Sequence, residues 1–198
     1  MITHRTWKGR VFIGVSLDGK IARLDGDIDW LTDQPVGRQH VRGHQGPAAP
    51  PGYDDFMAAT DHIVMGRATY EKVLTFGEWP YKGQQVVVLS TTLPDEEADN
   101  VTVVRTLDEV CELLHSDGAS GVYIDGGQVI QFSLREGLVD EITIGVAPVL
   151  IGAGIPLFGA IPEDILLTHV GTSYSDSGMT STRYLVNHST PSTTLLSQ

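Results

Sequence analysis

Cysteine is almost absent: the 198-residue chain has one, Cys111. Neither an intrachain disulfide nor a cysteine-rich zinc site can be built from it. Its setting, Leu107-Asp-Glu-Val-Cys-Glu-Leu-Leu114, predicts an amphipathic helix with the thiol near its apolar face, so Cys111 reads as a small buried hydrophobe rather than a nucleophile. Basic residues are scarce as well. Thirteen Lys and Arg stand against 25 Asp and Glu, a net charge of −12. Such a field repels nucleic acid and anionic membranes, so neither is an expected partner. An anionic ligand would need a local cationic pocket set against the global field.

A membrane-spanning apolar segment is also missing. The longest uncharged stretch, Ile142 to Pro162, contains four Gly and three Pro and reads as a strand followed by a glycine-rich loop. The N-terminus shows no apolar stretch followed by a cleavage site, so the expected address is the cytoplasm. The fingerprints G-x-G-x-x-G and G-x-x-x-x-G-K-[ST] do not occur, which excludes their dinucleotide and P-loop readings. The seven His are scattered, and no metal site is expected.

What is present is an alternation of short apolar runs and amphipathic segments. Arg10–Ser16, His62–Met65, Gln85–Leu89, Val101–Val104, Gly121–Ile124 and Glu141–Ile151 read as strands. Arg67–Leu74, Leu107–His115 and Val129–Glu136 read as helices, with a helical turn or two over Tyr53–Thr60. Leu166–Tyr174 and Thr180–Val186 read as an antiparallel pair late in the chain. The pattern predicts an α/β domain with a mostly parallel central sheet and antiparallel C-terminal strands. Residues 1–187 form the expected domain, and the Ser/Thr-rich 188–198 a flexible tail. Arg38–Gly52, rich in Gly, Pro and His, reads as a loop or insertion.

In open α/β sheets a ligand sits outside the carboxyl ends of the strands. Ser16, Gly66, Ser90 and Asp125-Gly126-Gly127 all follow strands at that end. Gly126-Gly127, between a strand and a helix, is either a plain turn or a phosphate cradle. Without Cβ atoms the backbone can approach a pyrophosphate, and the helix N-terminus supplies N–H groups. Met65-Gly-Arg-Ala-Thr-Tyr-Glu71 places Arg67 and Thr69 in the first turn of another helix, where a guanidinium and a hydroxyl can grip phosphate. Ser90, Thr91 and Arg105 add two hydroxyls and a second cation. In Asp25-Gly-Asp-Ile-Asp-Trp30, Asp27 is either a helix cap or a carboxylate that holds and helps to protonate a nitrogen heterocycle.

In this order the motifs resemble the dihydrofolate reductase superfamily, in its branch similar to the reductase domain of riboflavin biosynthesis. The resemblance runs from about Arg10 to Val186. It is carried by Ser16-Leu-Asp-Gly-Lys-Ile-Ala22, Gly26-Asp-Ile-Asp-Trp-Leu31, Val64–Glu71, Val88–Thr92, Asp125-Gly-Gly127, Gly137–Glu141 and Ala147–Phe158. It implies a dihydrofolate-reductase-like three-layer fold, NADPH as cofactor, and hydride transfer to a small pterin-, folate- or pyrimidine-type heterocycle. Gly66, Arg67 and Thr69 would then sit against the cofactor phosphates. Ser90, Thr91 and Arg105 would lie around the adenosine 2′-phosphate. Gly126, Gly127, Gln128 and Val129 would line the pyrophosphate and nicotinamide ribose, and Gly14 and Ile21 would flank the nicotinamide. Asp27 is implied as the substrate carboxylate, with Asp29 in reserve.

Where dihydrofolate reductases carry three consecutive glycines, this chain has Asp125-Gly126-Gly127; a carboxylate beside a pyrophosphate is unfavourable unless it points away. The paired cysteines of the partner deaminase and the Asp-Asp-Pro segment of riboflavin-pathway reductases are missing. The resemblance further implies a homodimer. The competing reading is a nucleotide-binding protein of the same fold without significant turnover.

Overall fold

A computed structural model describes residues 5–32, 41–95 and 100–188, with no side-chain description for Val41 and Arg42. Gln85-Val-Val-Val-Leu89 shows how sequence makes the sheet. A run of β-branched residues without alternation suits a strand covered on both faces. Here Val87 faces one core, while Val86 and Val88 face the other. The neighbouring strands divide likewise: Val64 against Ile63 and Met65, and Val122 and Ile124 against Tyr123.

The strands are β1 (Lys8–Ser16), β2 (Lys20–Ala22), β3 (Val41–Gln45), β4 (His62–Gly66), β5 (Gln85–Leu89), β6 (Thr102–Val104), β7 (Gly121–Asp125), β8 (Glu141–Ala147), β9 (Ile155–Pro156), β10 (Leu167–Ser175) and β11 (Thr180–Val186). Nine of them form one sheet in the order β3-β10-β11-β8-β1-β7-β4-β5-β6. The six from β8 to β6 pair in parallel. β11, β10 and β3 continue the sheet antiparallel. β2 and β9 make a separate antiparallel pair.

Helices α2 (Tyr53–Ala58) and α3 (Arg67–Leu74) place Phe56, Tyr70 and Val73 in the core on one face. Helices α4 (Leu107–Ser116) and α5 (Gly127–Arg135) place Val110, Cys111, Leu114, Val129, Ile130 and Leu134 in the core on the other. A short α1 (Asp29–Thr32) buries Trp30. The expected three layers are therefore present. Fully burying a side chain such as Ile63, Met65 or Ile130 contributes about 1.5–3 kcal/mol relative to leaving it exposed. Cys111 is free and buried, and burial pushes its thiol up, as befits a core residue. Among the described residues no helix is long and apolar enough to cross a membrane.

One sequence expectation changes. Part of the Arg38–Gly52 stretch is a strand: β3 pairs with β10 from Thr172↔Gln45 to Ser175↔Val41. Residues 38–40 lie outside the described residues, as does the expected tail beyond His188. The expected pair of Leu166–Tyr174 and Thr180–Val186 is β10 and β11, with β11 held between β10 and β8. The outer strands of the sheet are β3 and β6.

Candidate active-site crevice

The carboxyl ends of β1, β4, β5, β7 and β8 lie side by side, because these strands are adjacent and parallel. Two helices open onto that end from glycines. α3 starts after Gly66 and α5 after Gly126, and neither has a side-chain cap or an acidic residue in its first turn. α4 contrasts with both: Thr106 caps it by accepting from Glu109 N, and Asp108 and Glu109 occupy its first turn. An uncapped, acid-free N-terminus leaves N–H groups and positive dipole ends for an external anion.

The two openings touch. Gly126 has φ +87°, a conformation L side chains rarely adopt, and a Cβ there would overlap Thr69 Oγ1 of α3. A Cβ on Gly127 would come within 2.8 Å of Ile21 Cδ1 on β2. The backbone at Gly126-Gly127 thus runs between Thr69 and Ile21, and at Gly126 its conformation favours glycine. Gln128 is exposed and Val129 buried at the start of α5. Two uncapped helix openings side by side make a donor set suited to an anion.

The expected 2′-phosphate corner is built differently from the simple cationic pocket. Arg67 donates from Nε to Glu71 at 2.6 Å and from Nη1 to Thr92 Oγ1 at 3.1 Å. Arg105 donates to the carbonyls of Ser90 and Leu93, both at 2.7 Å, and to Asp95 at 2.6 Å. Ser90 Oγ accepts from the backbone N–H groups of Thr92 and Leu93. Both guanidiniums converge on the Ser90–Leu93 turn, each with a carboxylate partner. Ser90 and Arg105 are thereby builders of the turn, and Thr91 is exposed on it.

On the substrate side, Asp27 Oδ1 accepts from Asp29 N at 2.7 Å, and Oδ2 lies 3.9 Å from Arg23. The bond from Asp29 N is the main cause holding the Asp27 carboxyl below the usual range, with Arg23 and Lys72 adding to it. Asp29 is exposed. Leu31, one residue beyond Trp30, lies against Gly14, where a Cβ would be 2.7 Å from Leu31 Cδ2.

Asp125 was singled out in the sequence only as a departure. It follows Ile124 at the end of β7, pairs in register with Met65, and accepts from its neighbour Gly126 N at 2.8 Å. Its carboxyl therefore turns back on its own chain. Burial pushes it up to about 6, against the opposing hydrogen bonds from Gly126 and Tyr123. Tyr53, Tyr81 and Tyr123 all feel its charge, and burial raises all three phenols. These phenols come from α2, from the segment before β5 and from β7. The two carboxyl groups thus differ in habit: Asp27 is held below the usual range by hydrogen bonds and nearby cations, and Asp125 is pushed above it by burial.

Comparison with known proteins places this architecture. The RibD C-terminal domain family matches residues 8–180. The uncharacterized protein YwjB of Bacillus subtilis is 34% identical over 166 residues, covering 82% of this chain and 88% of YwjB. A crystal structure from Shewanella sp. PV-4, provisionally assigned to riboflavin biosynthesis, superposes with a TM-score of 0.76 at 34% identity, covering 91% of this chain and 99% of that one. Dihydrofolate reductase from Enterococcus faecalis, complexed with NADP(H), gives a TM-score of 0.60 at 17% identity, covering 91% and 97%, a likeness of fold. The chain belongs to the RibD C-terminal domain family, on a fold like that of dihydrofolate reductase.

Proposed function

We propose that the chain is an NADPH-dependent reductase that transfers hydride to a small pterin-, folate- or pyrimidine-type heterocycle. The observation that carries this reading is the pair of uncapped helix N-termini meeting at Gly126 and Thr69. NADPH, when bound, supplies the hydride. The α3 and α5 openings hold its diphosphate through Thr69 and the first-turn N–H groups of each helix. Arg67, Arg105, Ser90 and Thr91 form the turn that faces its adenosine end. Gly14 and Ile21 flank the nicotinamide, with Gln128 and Val129 beside the ribose.

Asp27, ionised, holds N–H groups of the heterocycle and favours its protonated form; Asp29 is its reserve. Hydride addition to a C=N bond needs the proton that this protonated form carries. Asp125, whose carboxyl turns back on Gly126 N, shapes the β7–α5 turn beside the diphosphate. The decisive experiment pairs Asp27→Asn with Asp29→Asn in assays of NADPH oxidation. Asp27→Asn should lower hydride transfer by about 10²-fold or more while NADPH affinity is kept. Unchanged turnover with Asp27→Asn and collapse with Asp29→Asn moves the role to Asp29.

A second reading, a nucleotide-binding protein without significant turnover, is favoured by one feature. Asp27 already caps the turn into α1 through Asp29 N. Under it both variants leave nucleotide binding unchanged and no acceptor is reduced.

A further inference from the structure

The turn between β1 and β2 is tied to a distant loop by one carboxylate. Asp18 Oδ1 accepts from Ser16 Oγ at 2.6 Å and from Ile151 N at 3.2 Å, and Oδ2 accepts from Gly152 N at 2.8 Å. Ser16 Oγ, having donated to Asp18, accepts from Lys20 N at 3.0 Å. Around this centre Leu17 N donates to Val149 O at 2.8 Å, and Leu157 N donates to Gly19 O at 3.0 Å. Gly152, at φ +70°, takes a backbone form that L side chains rarely adopt. The hydrogen bonds, led by that from Ser16, hold the Asp18 carboxyl down at about 2, so the tie carries its full charge through the neutral range.

What the tie supports is the crevice rather than the core. Leu17 and Leu150, on the two tied segments, are 64% and 70% exposed. The turn leads directly into β2, and Ile21 of β2 lies against Gly127 at the opening of α5. β2 in turn pairs with β9, at the far end of the loop that Asp18 grips. We propose that Asp18 is a positioning residue for the nicotinamide end of the cofactor: by joining the Ser16–Lys20 turn to the Val149–Gly152 loop, it holds Ile21 over Gly127. This rests on the reading of the crevice as an NADPH site.

The test compares two ligands that differ at one end. NADPH reaches the nicotinamide side, whereas 2′,5′-ADP carries the 2′-phosphate and no nicotinamide. Asp18→Asn places an amide that donates beside the Ile151 and Gly152 N–H groups in place of a carboxylate that accepts. It should weaken NADPH about tenfold, the loss of one or two charge-assisted hydrogen bonds, and leave 2′,5′-ADP within about twofold. Gly152→Ala, which strains the loop without touching the carboxylate, should act in the same direction. Amide exchange should quicken at Ile151 and Gly152, with β1 and β8 still protected. Equal weakening of both ligands, no change in either, or loss of protection across the sheet overturns the proposal. A wild-type protein that binds neither ligand overturns the cofactor reading itself, and this inference with it.

Discussion

Asp125 and Asp27 should respond differently to loss of charge. The folded pKa of Asp125 is raised from about 3.8 to about 6. Below pH 4 both folded and unfolded chains are protonated there, and the group costs nothing. As pH rises from 4 to 6 the unfolded chain releases its proton first, so stability falls, by up to about 3 kcal/mol, and stays lower above 6. Asp125→Asn should therefore raise the thermal midpoint at pH 7–8. A lower midpoint for the variant at that pH would contradict the assignment. Asp27 has a lowered folded pKa, so any stability it adds is present above about pH 4 and lost on acidification. Asn caps about as well as Asp, so Asp27→Asn should change the midpoint little. Asp27 was a candidate in the sequence through the family resemblance carried by Gly26-Asp-Ile-Asp-Trp-Leu31. The raised carboxyl of Asp125 was not, because it comes from burial at the end of β7, which only the fold supplies.

At the level of elements, the strands and long helices follow from apolar period and turn residues, and they lie within a few residues of where the sequence puts them. β3 escaped because Val41-Arg-Gly-His-Gln45 has neither alternation nor β-branched density; its pairing is supplied by β10. The glycine opening of α5 was legible from Gly126-Gly127 alone, but not its closure by Thr69. Gly126→Ala should cost about 1–3 kcal/mol for its backbone conformation, and more for the overlap with Thr69 Oγ1. Adding Thr69→Ala should recover part of the stability but none of the nucleotide affinity, measured by denaturant melts and titration together. The Ser90–Leu93 turn separates its two arginines. Arg105→Ala removes donors to two backbone carbonyls and should lower stability along with affinity for every nucleotide. Arg67→Ala should weaken NADPH and nearly spare NADH; equal loss for both would assign Arg67 to the diphosphate or to the fold.

For the molecule as a whole the charge is −12, and Arg67 and Arg105 each keep a carboxylate partner; if these arginines face the adenosine end of NADPH as proposed, binding should weaken less steeply with salt than at an unpaired basic patch. We expect a homodimer, as closed two-fold pairing is the commonest homo-oligomeric arrangement. Light scattering should give about twice 21.4 kDa at micromolar protein, and a mass near 21.4 kDa at every concentration would exclude it. Arg183 is a poor place to probe such an interface, since it pairs with Glu141 at 2.5 Å inside the sheet.

The reductase assignment itself is tested most directly by NADPH deuterated at the transferring position, incubated with dihydrofolate, dihydropterins and ribosylaminopyrimidine phosphates. Oxidation of the cofactor by one of these acceptors, with deuterium recovered in its ring, is the expected result. Tight NADPH binding with no oxidation and no deuterium in any acceptor would contradict it, and would leave a nucleotide-binding protein on a reductase fold.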